Sequence, residues 1–200
     1  MNHQLILPAR KFEKGPIKRL MVSLSKGINL NRESEAQKAF KLAVYLFAVG
    51  EVAPARDLVS SFAFDIPYSE KSGVWAIKKE ALAFLAFMAT QHQQADLARK
   101  PVDEIFVSNP NIDIDDTDWV FEQAIDQIEY YKPREAWNPS LLHDLTLNEK
   151  ITGHFSTIAE LAFPFVCATL LPTKNEELAS ALEKIITAEL GWLRLELQND

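Results

Sequence analysis

The stretch NPNIDIDDTDWVFEQ, residues 109–123, contains the densest group of side chains that could do chemistry. Four carboxylates stand there within six residues, namely Asp113, Asp115, Asp116 and Asp118. Clustered carboxylates have three ordinary uses: they bind a divalent cation, stabilise the start of a helix, or attract a basic partner. The spacing of the neighbouring residues distinguishes among these uses.

A calcium loop of the EF-hand type needs oxygen ligands at positions 1, 3, 5 and 12 and a glycine at position 6. Counting from Asn111 places Asp113, Asp115 and Glu122 at positions 3, 5 and 12. Position 1 is then only an amide, and Asp116 stands where the sharp turn needs glycine. We therefore expect no metal at this loop.

A helix start accounts for part of the cluster. Asp116 or Thr117 can accept hydrogen bonds from the free backbone N–H groups of the next helix, and the other carboxylates favour its positive end. That helix continues with Glu122, Asp126 and Glu129 at positions i, i+4 and i+7, which places these acids along one face. Because capping needs fewer carboxylates, these acids form either an ordinary solvated face or an acidic surface that docks a cationic partner.

The charge distribution favours an acidic docking surface and argues against a nucleic-acid partner. The chain has 200 residues and a net charge of −7. Residues 1–41 carry nine Lys or Arg and three Asp or Glu. The remaining residues carry twelve Lys or Arg and twenty-five Asp or Glu. Residues 101–131 contain nine acids and no base. Phosphate contacts need a basic surface, so only the N-terminal part could bind nucleic acid, and we expect a solvated face there.

No sequence motif indicates an enzyme or a cofactor site. The chain lacks a phosphate-binding loop, a dinucleotide fingerprint and a Gly-x-Ser-x-Gly motif. His143 and His154 flank Glu149, but they are separated by roughly 16 Å along a helix. The single cysteine, Cys167, lies in the apolar run AFPFVCATLL and excludes an internal disulfide. We expect neither a cofactor nor a metal.

No segment has the pattern of a signal peptide or a membrane span. The start, MNHQLILPARK, lacks a charged residue before a long apolar region. The longest apolar runs are residues 81–89 and residues 158–171, and Glu160 and Pro164 interrupt the second. Both are shorter than the roughly 18–20 residues that a span requires. We expect a reduced, cytoplasmic protein without a membrane partner.

Helical periodicity runs along the chain and predicts an all-α fold. Apolar residues recur at helical spacing, and Gly and Pro separate the segments. We expect roughly seven to nine helices in one domain spanning residues 1–200, with Pro164 kinking its helix. In the helix that follows the aspartates, we expect the inward side to consist of Trp119, Ile125 and Ile128 together with Phe121 or Val120.

Small and apolar residues between positions 36 and 67 follow the spacing of a helical hairpin. The pattern consists of Leu42, Ala43, Leu46, Gly50, Ala55 and Pro67. It resembles one unit of the tetratricopeptide repeat family, and no second unit aligns. The resemblance implies antiparallel helices in close contact at Ala43 and Ala55, a turn at Gly50, and a helix end at Pro67. It also implies a helical scaffold, tetratricopeptide-like in its N-terminal half, with a groove for a protein.

These observations favour a non-enzymatic protein that binds another protein. One concrete form is a bacterial immunity protein that neutralises a basic toxin through its acidic surface. Trp119 and Trp137 are either anchors of that interface or core residues. The predicted partner-binding residues are Asp113, Asp115, Asp116, Asp118, Trp119, Glu122, Asp126 and Trp137.

The alternative is a helical-bundle enzyme or small-molecule sensor with a buried pocket. Its lining would lie near Pro164, where Glu160 stands among apolar residues. The oligomeric state and the partner's identity do not follow from the sequence.

Overall fold

A computed structural model describes residues 2–69, 73–92, 94–109, 111–112, 118–131, 145–172 and 174–198. Within these ranges the chain forms eight α-helices and a 3-10 turn, Ala63–Asp65. The helices are α1 (Gly15–Leu24), α2 (Glu33–Ala48), α3 (Val52–Ser60), α4 (Val74–Gln91), α5 (Ala95–Ser108), α6 (Asp118–Tyr131), α7 (Leu147–Leu170) and α8 (Glu176–Gln198). The prediction of an all-α fold is confirmed, and the helix count over the described part lies in the expected range.

Helices α4 and α7 form the centre of the molecule. Helix α4 packs against α2, α3, α5 and α7, while α7 also packs against α6 and α8. The buried apolar side chains form one contiguous cluster. Phe40, Phe84 and Phe155 meet within it edge to face, with ring centroids 5.9 Å and 5.3 Å apart. Both central helices are apolar on nearly all sides, as a helix surrounded by others must be.

The hairpin predicted around Gly50 is present, with differences from a tetratricopeptide unit. Helices α2 and α3 pack against each other, and Gly50 has a φ of +89° in the turn between them. Ala43 and Ala55 are fully buried. However, α3 ends at Ser60 and a 3-10 turn follows, so Pro67 does not end the second helix as expected. The likeness to the repeat family is not confirmed beyond this pairing of helices.

Helix α7 is the longest helix in the described part of the chain. Its 24 residues continue through Gly153 and Pro164. It begins at a capping box in which Glu149 N donates to Thr146 Oγ1 at 3.3 Å and Thr146 N donates to Glu149 Oε2 at 2.8 Å. By length and composition α7 could cross a membrane, but 72% of its most apolar window is buried inside the domain. It therefore has the surroundings of a core helix.

The N-terminal segment, residues 2–12, forms no helix and pairs with the chain after α1. His3 and Ile28 exchange backbone hydrogen bonds of 2.7 Å and 2.9 Å. The His3 ring contacts the carbonyl of Ser61, and Ile6 N donates to Ser61 Oγ at 3.1 Å. These contacts fix the segment to the loop after α1 and to the end of α3.

A buried lysine joins three elements that are distant in the sequence. Lys78 of α4 is only 3% exposed. Its Nζ donates to the carbonyls of Phe64 and Ile66, both at 3.1 Å, and to Glu104 Oε1 at 2.7 Å. All three ammonium hydrogens can therefore be satisfied. This contact fixes α4 against α5 and against the turn after α3.

Candidate functional site

The structure describes four of the eight predicted partner-binding residues, and all four lie on helix α6. This helix packs against α7 and α8, with Val120 and Ala124 buried and Phe121 and Ile128 partly buried. These inward residues cover one side of the helix, so the opposite side faces solvent. The contacts of α6 thus define which of its residues a partner could reach.

The exposed side of α6 is acidic. Asp118, Glu122, Asp126 and Glu129 are all exposed and follow one another at intervals of four, four and three residues. This spacing keeps their carboxylates on one side of the helix. We call these four residues the acidic face. Asp118 also lies in the first turn of α6, where a negative charge favours the positive helix end.

Large apolar side chains border the acidic face. Trp119 is 38% exposed, Ile125 52% and Tyr130 66%. Aromatic residues are enriched in protein interfaces because they contribute much contact area with few rotatable bonds. The outer side of α6 therefore combines charge with apolar area that a partner could cover.

The expected orientation of α6 was partly wrong. Trp119 and Ile125 were predicted to face inward, but both are exposed, whereas Val120 and Ala124 are buried. Ile128 and Phe121 are partly buried, as expected. The inward stripe is built around the small Ala124, which lets α6 approach its neighbours closely, and the larger residues lie on the outer side.

Half of the predicted partner-binding residues lie outside the described residues. These are Asp113, Asp115, Asp116 and Trp137. The structure therefore places Asp118, Trp119, Glu122 and Asp126 on one exposed helix side and gives no position for the others.

Glu149 and His154, two of the residues considered as metal ligands, have separate partners within the protein. Glu149 takes part in the capping box, and its hydrogen bonds from Thr146 lower its carboxyl pKa. His154 Nδ1 lies 2.5 Å from Glu189 Oε2 across the α7–α8 contact. His143 lies outside the described residues. In the described ranges no three His, Cys, Asp or Glu side chains are grouped as a metal site requires.

Two surface cavities formed by the described residues lie away from the predicted pocket. Pro164 is buried in α7, and Glu160 is exposed. One surface cavity of 210 Å³ lies between the start of α1 and the end of α8. Another, of 360 Å³, lies between α3 and the end of α4. Neither is lined by Pro164 or Glu160.

Glu80 is a carboxyl group with a perturbed pKa that no sequence pattern indicates. Burial on α4 raises its pKa to about 7. The nearby Lys79 opposes this rise, and the carboxylates of Glu160 and Glu33 add to it. The group thus changes charge close to neutral pH. Only the arrangement of α2, α4 and α7 brings these charges together.

Comparison of the chain with protein-family models, with curated proteins and with solved structures finds no match in any of the three. Its function is therefore inferred from the geometry and charge of the chain itself.

Proposed function

We propose that this chain is a non-enzymatic protein-binding domain that docks a basic protein through the acidic face of α6. The observation that carries the proposal is the exposure of four carboxylates on one side of a single helix. Helix capping requires a negative charge only in the first turn, whereas Glu122, Asp126 and Glu129 extend well beyond it.

The exposed apolar residues beside these carboxylates support the same proposal. Charge attraction speeds the encounter of two proteins, but burial of apolar and aromatic area holds them together. Trp119 and Ile125 provide such area next to the acids, with 38% and 52% of their surfaces exposed. The acidic face and the apolar residues beside it would complement a partner surface in which Lys or Arg side chains surround an apolar patch.

Within this class we propose a bacterial immunity protein as the specific form, acting in the cytoplasm on a basic toxin. Toxins that act on nucleic acid need basic active sites, and an acidic inhibitor can cover such a site. The buried Cys167 is compatible with a reducing compartment.

The test is affinity capture from a lysate of the source cells with three forms of the chain. The first is the wild type, and the second reverses the acidic face with Glu122→Lys and Asp126→Lys. The matched control, Asp57→Lys with Glu177→Lys, makes the same change in charge at exposed positions on α3 and α8.

We expect the wild type and the control to retain a protein rich in Lys and Arg that the acidic-face variant loses. The association rate of the purified pair should fall as salt rises, because attraction between exposed charges is screened over about 8 Å at physiological ionic strength. Equal capture by the acidic-face variant, at an equal rate, contradicts the proposal.

A further inference from the structure

The outer side of α1 is the basic counterpart of the acidic face. Ile17 and Leu24 are buried towards α2, while Lys14, Lys18, Arg19 and Lys26 are exposed. No acidic residue occurs between Lys14 and Arg32. We call Lys14, Lys18, Arg19 and Lys26 the basic face.

The basic face also contains exposed apolar area. Val22 lies four residues after Lys18 and four before Lys26, and it is 66% exposed. Residues four apart are neighbours on a helix surface, so Val22 lies beside Lys18 on α1, and Lys26 follows in the turn after the helix. Ile125, 52% exposed, borders the carboxylates of the acidic face in a similar way.

The two faces have similar lengths. The basic face extends from Lys14, directly before α1, to Lys26, two residues after it, and α1 itself is about 15 Å long. The acidic face extends from Asp118 to Glu129, or about 16 Å. Two helices with these faces can lie side by side with opposite charges in contact along most of their length.

We propose that the basic face of one copy of this chain docks on the acidic face of a second copy. The inference rests on the proposed function, since it names a second copy as a basic partner of the same face. Charge complementarity between the faces and the exposed Val22 and Ile125 carry it. The contact joins two different surfaces, so each copy offers one of each kind.

The proposed contact has a regulatory consequence for the acidic face. The self-associated form covers the carboxylates of α6, and another basic protein must displace the second copy to reach them. The attraction acts between exposed charges, so salt screens it and the association should weaken as salt rises.

The experiment is sedimentation velocity of the full chain over a range of concentrations, at low and at high salt. One variant reverses the basic face with Lys18→Glu and Lys26→Glu. The other reverses the acidic face with Glu122→Lys and Asp126→Lys. Circular dichroism and thermal melting of each variant establish that it is folded.

We expect the wild type to self-associate at low salt and to dissociate as salt rises. Each variant alone should associate at least about tenfold more weakly, because like charges then face each other. An equimolar mixture of the two variants should associate again, since the acidic α1 of one then meets the basic α6 of the other. Misfolding cannot produce this recovery.

A wild type that stays monomeric at low salt overturns the inference, and so does a mixture that fails to recover. If the wild type stays monomeric and binds phosphatidylserine vesicles through Lys18 and Lys26, the occupant of the basic face is a membrane and the inference is likewise wrong. Neither result affects the proposed function, which fails separately if acidic-face reversal leaves capture of a basic protein unchanged.

Discussion

The backbone carbonyl of His3 occupies the space that a Cβ atom on Gly27 would need. Gly27 also has a φ of +77°, a region that residues with a side chain rarely adopt. Both constraints arise where the N-terminal segment pairs with Ile28, directly after this glycine. The close approach of the segment therefore depends on the missing side chain.

Replacing Gly27 with Ala should destabilise the protein by about 2 kcal/mol or more, since backbone strain and a backbone clash add.

Gly50→Ala is the first control for the Gly27 variant. It carries the same type of strain, with a φ of +89°, but its Cβ meets nothing within 4 Å, so about 1 kcal/mol is expected. Gly191→Ala, in an open helical position, should stabilise by up to about 1 kcal/mol. Urea denaturation would measure all three, and equal losses at Gly27 and Gly50 would contradict the proposed clash.

Replacing Lys78 with Met should lower the free energy of unfolding by about 3 kcal/mol. The change leaves the carbonyls of Phe64 and Ile66 and the Glu104 carboxylate without their shared donor. Adding Glu104→Gln should recover part of this loss, because the unpaired charge disappears. A double-mutant cycle by urea denaturation would show the coupling, and additive effects would mean that the two side chains do not interact.

The orientation of α6 can be tested with two truncations of similar size. Val120→Ala should cost about 2 kcal/mol, because Val120 is 2% exposed and its removal leaves a cavity. Ile125→Ala should stay within about 0.5 kcal/mol, because Ile125 is 52% exposed. Thermal or chemical unfolding measures both, and the reverse ranking would support the orientation that the sequence first suggested.

Glu80→Gln should stabilise the protein above neutral pH. The pKa of Glu80 rises from 4.5 to about 7 on folding, so the folded state keeps a proton that the unfolded state has lost. Stability is therefore lost as pH rises from about 4.5 to about 7, and the full cost remains above that window. Allowing for partial exposure, we expect a gain on the order of 2 kcal/mol at about pH 8 and much less at about pH 5. An equal gain at both pH values would show that Glu80 does not titrate in this window.

Cys167 should not react with thiol reagents in the folded protein. It is fully buried, and burial raises the pKa of its thiol to about 12, so almost no thiolate forms at neutral pH. A colorimetric disulfide reagent should therefore label the chain only after a denaturant is added. Rapid labelling of the native protein would indicate that α7 opens locally.

The sequence was sufficient for the helical class and for the turn at Gly50. Apolar spacing identifies helices well because each helix must bury one side. The turn at Gly50 could be predicted because a glycine backbone adopts a positive φ without strain. The orientation of α6 was harder to predict, because Trp119 and Ile125 are large apolar residues and were assigned to the core on that basis. The inward side instead depends on how closely Ala124 can approach the neighbouring helices.

Features that depend on distant segments could not be predicted. Lys78 is buried because Phe64 and Glu104, 14 and 26 residues away, converge on it. The acidic face was found in advance, because charge spacing on a helix is a local property.

The length and apolarity of α7 have a consequence for the newly made chain. Helix α7 buries much of its surface against α8, and α8 leaves the ribosome only after α7 is complete. During that interval a 24-residue apolar helix lacks one of its main neighbours, while α4, already synthesised, can cover part of it. Truncation before α8 should therefore yield a chain that aggregates or is retained by chaperones, even though every earlier helix is intact.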